Sequence, residues 1–285
     1  MEKNTEQLDL SIVIPVYNTS ATFVKECLDS ISAAKIRYSY EIIIVNDGST
    51  DSKLIVFLNE SHDNFISVIH KENTGVSASR NLGMKQAKGK FLICLDADDL
   101  LTPNINKAID YLEKNRKYDA VYCDLQYFGD TRFLYKKNEF SKFQLIYIGS
   151  VLTPSSTLLR REIFSKVQYN EKLSYSEDKD FFSRAAVLGF KFKYFHKPFC
   201  LYRKIYGNKS LSQKNIKMKD ETEIFIKSQF DPHKEITIEE VNKYVIHNFA
   251  GHKKYLVKLL LILFFPKLFD LLLKRKIFKN NIVID

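Results

Sequence analysis

The 285-residue chain is 45% hydrophobic and 27% charged, which is ordinary for a folded protein with ample core and argues against a disordered one. Its net charge of +10 is unevenly spread: the first 100 residues hold 10 basic and 14 acidic side chains, so the positive excess belongs to the remainder. That asymmetry suggests a polyanionic partner, but no nucleic-acid motif accompanies the lysines, so an anionic membrane is expected and nucleic acid is not.

In chain order, Leu10–Tyr17 is predicted to be a strand ending at a turn where Asn18-Thr-Ser20 offers helix-capping groups. Val24, Leu28 and Ile31 then recur at helical spacing from about Ser20 to Ala34. Glu41–Asn46 is a second buried strand, followed by the turn Asp47–Asp51 and a short helix. Ile66–His70 is a third strand, and Val76–Lys88 a third helix stopped at Gly89. Strands and helices alternating through short connections predict a mostly parallel central sheet flanked by helices, an α/β fold.

Lys90–Asp99 reads as a buried strand running out into carboxylates. On an extended chain Asp96 and Asp98 share a side, a good arrangement for a hard divalent cation at the ligand-binding edge of an open sheet. The alternative is a solvated acidic turn, with Asp99 helping to cap the next helix, from Pro103 to about Arg116.

A strand at Ala120–Leu125 precedes a loop-like excursion over 128–148, mixed in aromatic and basic residues. Further elements are a strand at Thr153–Leu159, helices at Arg161–Lys166 and Glu177–Leu188, and a strand-like Lys193–Tyr202 interrupted by Pro198. Beyond Ser212 the chain turns helical and lysine-rich, so a domain over 1–212 and an extension over 213–285 are expected.

Within the extension, Leu259–Phe265 is the longest uncharged apolar run, far below the ~20 residues a spanning helix needs. Lys253–Lys279 carries eight basic residues and one acidic residue, Asp270. Residues 250–279 therefore read as an interfacial membrane contact; packing on the domain or in a homodimer is the alternative. Cys27, Cys94, Cys123 and Cys200 are scattered without metal spacing, and Met1–Asp9 has no apolar signal core. A cytoplasmic location, peripheral on the inner face of the membrane, is expected.

Five motifs in order complete the picture: Ser11-Ile-Val-Ile-Pro-Val-Tyr-Asn18, Ile44-Val-Asn-Asp-Gly-Ser-Thr-Asp51, Glu72-Asn-Thr-Gly75 with Arg80-Asn81-x-Gly83, Asp96-Ala-Asp-Asp99, and Ser176-Glu-Asp178. Together they resemble the family 2 glycosyltransferases of the GT-A fold, over about residues 9–212. The resemblance implies an inverting transfer of a sugar from a nucleotide sugar, usually UDP-linked, to a hydroxyl of a glycan or lipid-linked acceptor in bacterial surface-polysaccharide synthesis. It also implies site roles. Pro15 and Tyr17 line the base and ribose pocket, Asp47 accepts from the uracil imide, and Arg80 lies near base and diphosphate. Asp96 reaches the ribose or the metal's water shell, and Asp98 coordinates Mn²⁺ or Mg²⁺. Asp178 is the general base, Glu177 contacts the acceptor, and Arg203 is a diphosphate contact.

Plainer roles exist for several of these residues. Tyr17 serves packing, Asp47 a turn, Arg80 a pair with Glu72, and Asp178 the first turn of a helix. The chain has no tryptophan, so the Gln-x-x-Arg-Trp signature of processive members is absent and single addition is favoured. A dinucleotide dehydrogenase is disfavoured because no Gly-x-Gly-x-x-Gly follows the first strand. A catalytically inactive carbohydrate-binding or scaffold relative is the remaining alternative.

Overall fold

A computed structural model describes residues 8–60, 65–149, 152–205, 216–230 and 237. Segment 250–279, the Tyr206 to Ser212 stretch and most of the 213–285 extension lie outside the described residues. Among the described residues, no helix is long and apolar enough to cross a membrane.

The first half follows the alternation in the sequence. Strands β1 (Leu10–Val16), β2 (Tyr40–Asp47), β3 (Ile66–Lys71) and β4 (Phe91–Cys94) alternate with helices α1 (Ala21–Ala33), α2 (Ser52–Glu60) and α3 (Val76–Gln86). β1 pairs in parallel with both β2 and β4, and β2 with β3. The apolar runs of β1, β2 and β4 are buried because helices cover both faces; β3, at the sheet edge, is only partly buried. In α1, Val24, Cys27 and Ile31 fall on one face and are buried against the sheet. α3 lies close on the opposite face. A Cβ on Gly83 would stand 2.3 Å from Val13 Cγ1, so only glycine lets this helix approach β1 and β2 so closely.

The second half departs from the predicted elements. After β5 (Leu100–Leu101), α4 (Asn104–Lys114) and β6 (Ala120–Cys123), the expected loop contains β7 (Leu125–Gly129), β8 (Leu134–Tyr135) and a π-helical turn at Gln144–Ile148. Pro154–Ser156 forms a 3₁₀ turn, so the strand expected from Thr153 begins later, as β9 (Thr157–Arg160). After α5 (Arg161–Lys166) and α6 (Glu177–Val187), the stretch expected as one interrupted strand is two: β10 (Phe192–Phe195) and β11 (Cys200–Lys204). Pro198 lies where the chain leaves one sheet for another, as its missing donor and fixed φ favour.

The large sheet has the order β10-β6-β9-β4-β1-β2-β3 and the smaller one β5-β11-β7-β8. Only β9 runs against the other strands of the large sheet. The first helix of the extension, α7 (Ile216–Ser228), packs on α6: Glu223 pairs with the buried Lys179, and Gln229 Nε2 donates to Asp180 Oδ1 at 3.3 Å. This part of the extension therefore belongs to the packed body. All four cysteines are free and buried.

The Gly83 approach gives a packing test. Replacing Gly83 with Val should lower unfolding stability by about 1–3 kcal/mol, the usual cost of overpacking, read as a fall in the urea midpoint. An unchanged midpoint would mean that α3 can lift from the sheet without loss.

Candidate active site

Because β1, β2 and β4 are parallel, their carboxyl ends deliver Pro15 and Tyr17, Asp47, and the acidic turn to one edge of the sheet. A cavity of about 440 Å³ opens there. Its walls include Pro15, Tyr17 and Asp47, residues Asn73–Ser77, and Glu171 with Tyr175 on the loop before α6. Arg80, Asp96, Asp98, Glu177, Asp178 and Arg203 are not among its lining residues.

Asp47 sits at the end of β2 with a side chain 5% exposed, paired with Lys71 of neighbouring β3. Its Oδ1 also accepts the Thr74 N–H at 2.9 Å and its Oδ2 the Gly75 N–H at 2.9 Å. Burial alone would raise this carboxyl, but Lys71 and the two N–H groups outweigh it and hold the group below its ordinary value. Gly48 follows at φ +69, and a Cβ there would meet the Asn73 nitrogen at 2.7 Å, so the turn closes against residues 73–75 only with glycine. Asn18, also left-handed (φ 47), is not a cap for α1. Its Oδ1 accepts the Thr50 N–H at 2.8 Å and ties the ends of β1 and β2 together.

The acidic stretch is not an extension of a strand. β4 stops at Cys94, Asp96–Asp99 is a turn closed by the Asp99 N–H on the Asp96 carbonyl at 2.9 Å, and the shared-strand-face argument for Asp96 and Asp98 does not apply. Asp99 is buried rather than capping α4. Its Oδ1 accepts the Arg203 N–H at 3.0 Å, while Oδ2 is buried without a hydrogen-bond partner among the described residues. Burial, and then the Asp96 charge, push Asp98 above the usual carboxylate range.

Arg203 buttresses this turn. Its Nε donates to the Asp98 carbonyl at 2.8 Å, Nη2 pairs with Glu26, and the guanidinium lies between the rings of Phe23 (4.2 Å) and Phe128 (4.4 Å). The guanidinium expected to meet a diphosphate also holds the turn.

Arg80 is likewise paired within the protein. Its pairs are not with Glu72: Nη1 donates to Glu177 Oε1 at 2.6 Å and Nη2 to Asp96 Oδ1 at 3.0 Å, with the guanidinium 5.4 Å from the Tyr169 ring centroid. This bridge joins the acidic turn to the start of α6, where Ser176 is left-handed (φ 52) and Glu177, Asp178 and Asp180 fill the first turn. Asp178 Oδ1 accepts the Lys179 N–H at 2.7 Å. The Asp178 carboxyl is pushed up to about 7, chiefly by burial and then by Glu177, against the lowering effect of Arg80. A carboxylate of that pKa is suited to accept a proton near neutrality.

Two contributors were not apparent in the sequence: Lys71 and the Glu171–Tyr175 wall. Lys71 alone had a signal, its place one strand over from Asp47, visible once the register is known.

Exchanging Arg80 for Gln would leave Asp96 and Glu177 without their shared cation. The loss should be about 3 kcal/mol, the low end for breaking a buried pair, because Asp96 keeps 30% of its side-chain surface exposed. Urea unfolding measures it, and a loss below about 1 kcal/mol would place the bridge with surface pairs.

Comparison with known proteins bears on the family and the fold. The family described as "Glycosyl transferase family 2" matches residues 11–204. An uncharacterized glycosyltransferase of Rickettsia typhi is 34% identical over 194 residues, 63% of this chain and 59% of the relative, so the chain spans about six tenths of that protein. The minor teichoic acid biosynthesis protein GgaB of Bacillus subtilis is 25% identical over 189 residues, 62% of this chain and 21% of GgaB. Among solved structures, S. aureus TarS 1-349 in complex with UDP-GlcNAc superposes with a TM-score of 0.62 at 18% identity, covering 87% of this chain and 77% of TarS 1-349. The mannosyltransferase PcManGT of Pyrobaculum calidifontis, in complex with GDP-Man and Mn²⁺, gives a TM-score of 0.55 at 16% identity, covering 72% of this chain and 59% of the mannosyltransferase. The two structures share the fold, and with the match over 11–204 this chain belongs to glycosyltransferase family 2, with the GT-A architecture.

Proposed function

We propose that this protein is an inverting glycosyltransferase that moves a sugar from a nucleotide sugar, UDP-linked, to a hydroxyl of a glycan or lipid-linked acceptor in bacterial surface-polysaccharide synthesis. The observation that carries the reading is that the Asp47 cavity and the acidic turn share one sheet edge, and that the Arg80 bridge ties this turn to the start of α6, where the Asp178 carboxyl is raised to about 7. The UDP-GlcNAc and GDP-Man complexes of the two structural relatives support a nucleotide-sugar donor, and the teichoic-acid role in the name of GgaB supports a surface polymer. Four free, buried cysteines support a reducing, cytoplasmic setting.

In this reading Pro15 and Tyr17 bound the base pocket, and Asp47, already fixed by Lys71 and two N–H groups, has one lone pair of Oδ2 left for the imide of uracil. Among the described residues no group of three or more His, Cys, Asp or Glu side chains forms a metal cage. The donor set nevertheless suits Mn²⁺ or Mg²⁺, which bind through one or two carboxylates together with substrate phosphates. Asp98 and Asp96 would hold the ion. Asp98, raised by burial and then by the Asp96 charge, and the unpartnered buried oxygen of Asp99 would both gain from such a counter-charge. A bound dication supplies charge neutralisation for the departing diphosphate.

Asp178 takes the proton of the attacking hydroxyl. A single displacement requires one base and no covalent nucleophile. Glu177, tied to Arg80, holds α6 in place and leaves its second oxygen for the acceptor.

Two measurements test this scheme. Asp98→Ala should abolish Mn²⁺-dependent UDP binding in calorimetry with the circular dichroism spectrum unchanged; equal binding by variant and parent would remove Asp98 from the metal site. For the base, protonation as pH falls through about 7 should cost transfer roughly tenfold per unit below that point. Asp178→Asn should lose about 10²–10⁴ in rate, retain donor binding and lack this acid limb. A variant that keeps near-parental turnover of UDP-GlcNAc, or of whichever donor the parent uses, would move the role elsewhere.

A further inference from the structure

The outer strand of the smaller sheet ends in an exposed apolar tip. Phe133, Leu134 and Tyr135 are consecutive and 49%, 40% and 56% exposed, and Arg132 and Lys136 on either side are exposed as well. The other exposed large hydrophobic side chains among the described residues occur singly or as the pair Ile224–Phe225, so this is the longest such run. The tip is paired and stacked on its neighbours. Leu134 and Tyr135 pair with Gln126 and Leu125, and Phe133 stacks flat on Tyr127, with centroids 4.3 Å apart and an interplanar angle of 12°. Tyr127 in turn meets the edge of Tyr202, next to the Arg203 that holds the Asp98 carbonyl.

We infer that this hairpin tip is a membrane contact: Phe133, Leu134 and Tyr135 enter the interfacial layer of an anionic bilayer while Arg132 and Lys136 meet its headgroups. Aromatic residues beside cations are the side chains that settle at that depth. Charge complementarity favours an anionic surface, and continuity through Tyr127, Tyr202 and Arg203 would hold the acidic turn at a fixed offset from it. A stacking platform for an acceptor sugar fits less well, because Phe133 already has a ring face covered by Tyr127 and a leucine stands between the two aromatics. Pairing with a second copy also fits less well, since β8 offers only two residues as an edge. The inference is independent of the donor reading, and it concerns residues other than 250–279.

The chain has no tryptophan, so Tyr135→Trp places a single indole at the tip. The full-length variant would be mixed with vesicles of phosphatidylcholine and phosphatidylglycerol in equal parts. The expected result is a blue-shifted emission that brominated acyl chains quench, weaker with phosphatidylcholine alone. Adding Arg132→Gln and Lys136→Gln should lower vesicle affinity roughly fivefold for each cation removed. Sedimentation with vesicles but unchanged emission would overturn the proposal by placing the contact elsewhere, 250–279 included; absence of vesicle binding would overturn it outright. A shift produced by soluble oligosaccharides instead would reassign the tip to an acceptor glycan, and one that follows protein concentration alone would reassign it to self-association. Calorimetric UDP binding with Mn²⁺ checks the variant's fold, and a failure of that binding in the parent would count against the donor reading while leaving the indole result interpretable.

Discussion

A buried guanidinium with a carboxylate on either side sets the geometry of this site. Arg80 could not remain charged inside the protein unless Asp96 and Glu177 met it, since the desolvation of an unpaired ion costs several kcal/mol. Its own position is set by packing: Arg80 and Gly83 lie three residues apart on α3, and the close seat of Gly83 on β1 and β2 fixes where the guanidinium stands. The turn after β4 and the first residue of α6 are thereby held at one distance from each other, although 81 residues of sequence separate Asp96 from Glu177.

Two further contacts support the same frame from outside. Arg203, clamped between Phe23 and Phe128, carries the smaller sheet to the acidic turn. On the other side, α7 lies beyond the matched residues 11–204, yet its Glu223 neutralises Lys179, one position after Asp178. Asp180, fully buried, takes Arg184 and Gln229. The charges that flank Asp178 on α6 are thus satisfied by partners within the same packed body, and Asp178 itself answers mainly to burial and to Glu177.

Electrostatic crowding is the common theme. Asp96, Asp98 and Asp99 fall within four residues, with Glu177 and Asp178 across the Arg80 bridge. Burial first, and then a neighbouring carboxylate, raises both Asp98 and Asp178, while Asp47, given Lys71 and two N–H groups of its own, is lowered. The three carboxylates therefore differ in proton affinity because their surroundings differ, and the proposed roles draw on that difference.

Much of this was legible from the residues. Apolar runs buried on both faces, alternating with helices of period 3.6, determine the parallel β1–β4 half, and that topology carries Pro15, Tyr17 and Asp47 to a shared edge. The motif order determined the family. What the sequence could not decide was how its charges would be shared. Whether Arg80 paired with Glu72 or with Glu177, and what Arg203 held, depended on partners remote in the chain. Likewise the acidic stretch could be strand or turn until Arg203 and Ser155 were seen to hold it, and Pro198 could interrupt a strand or pass the chain to a second sheet. Local propensity reaches a few residues along the chain, but an ion pair between distant segments exists only once packing has brought them together, and that part was left to the tertiary structure.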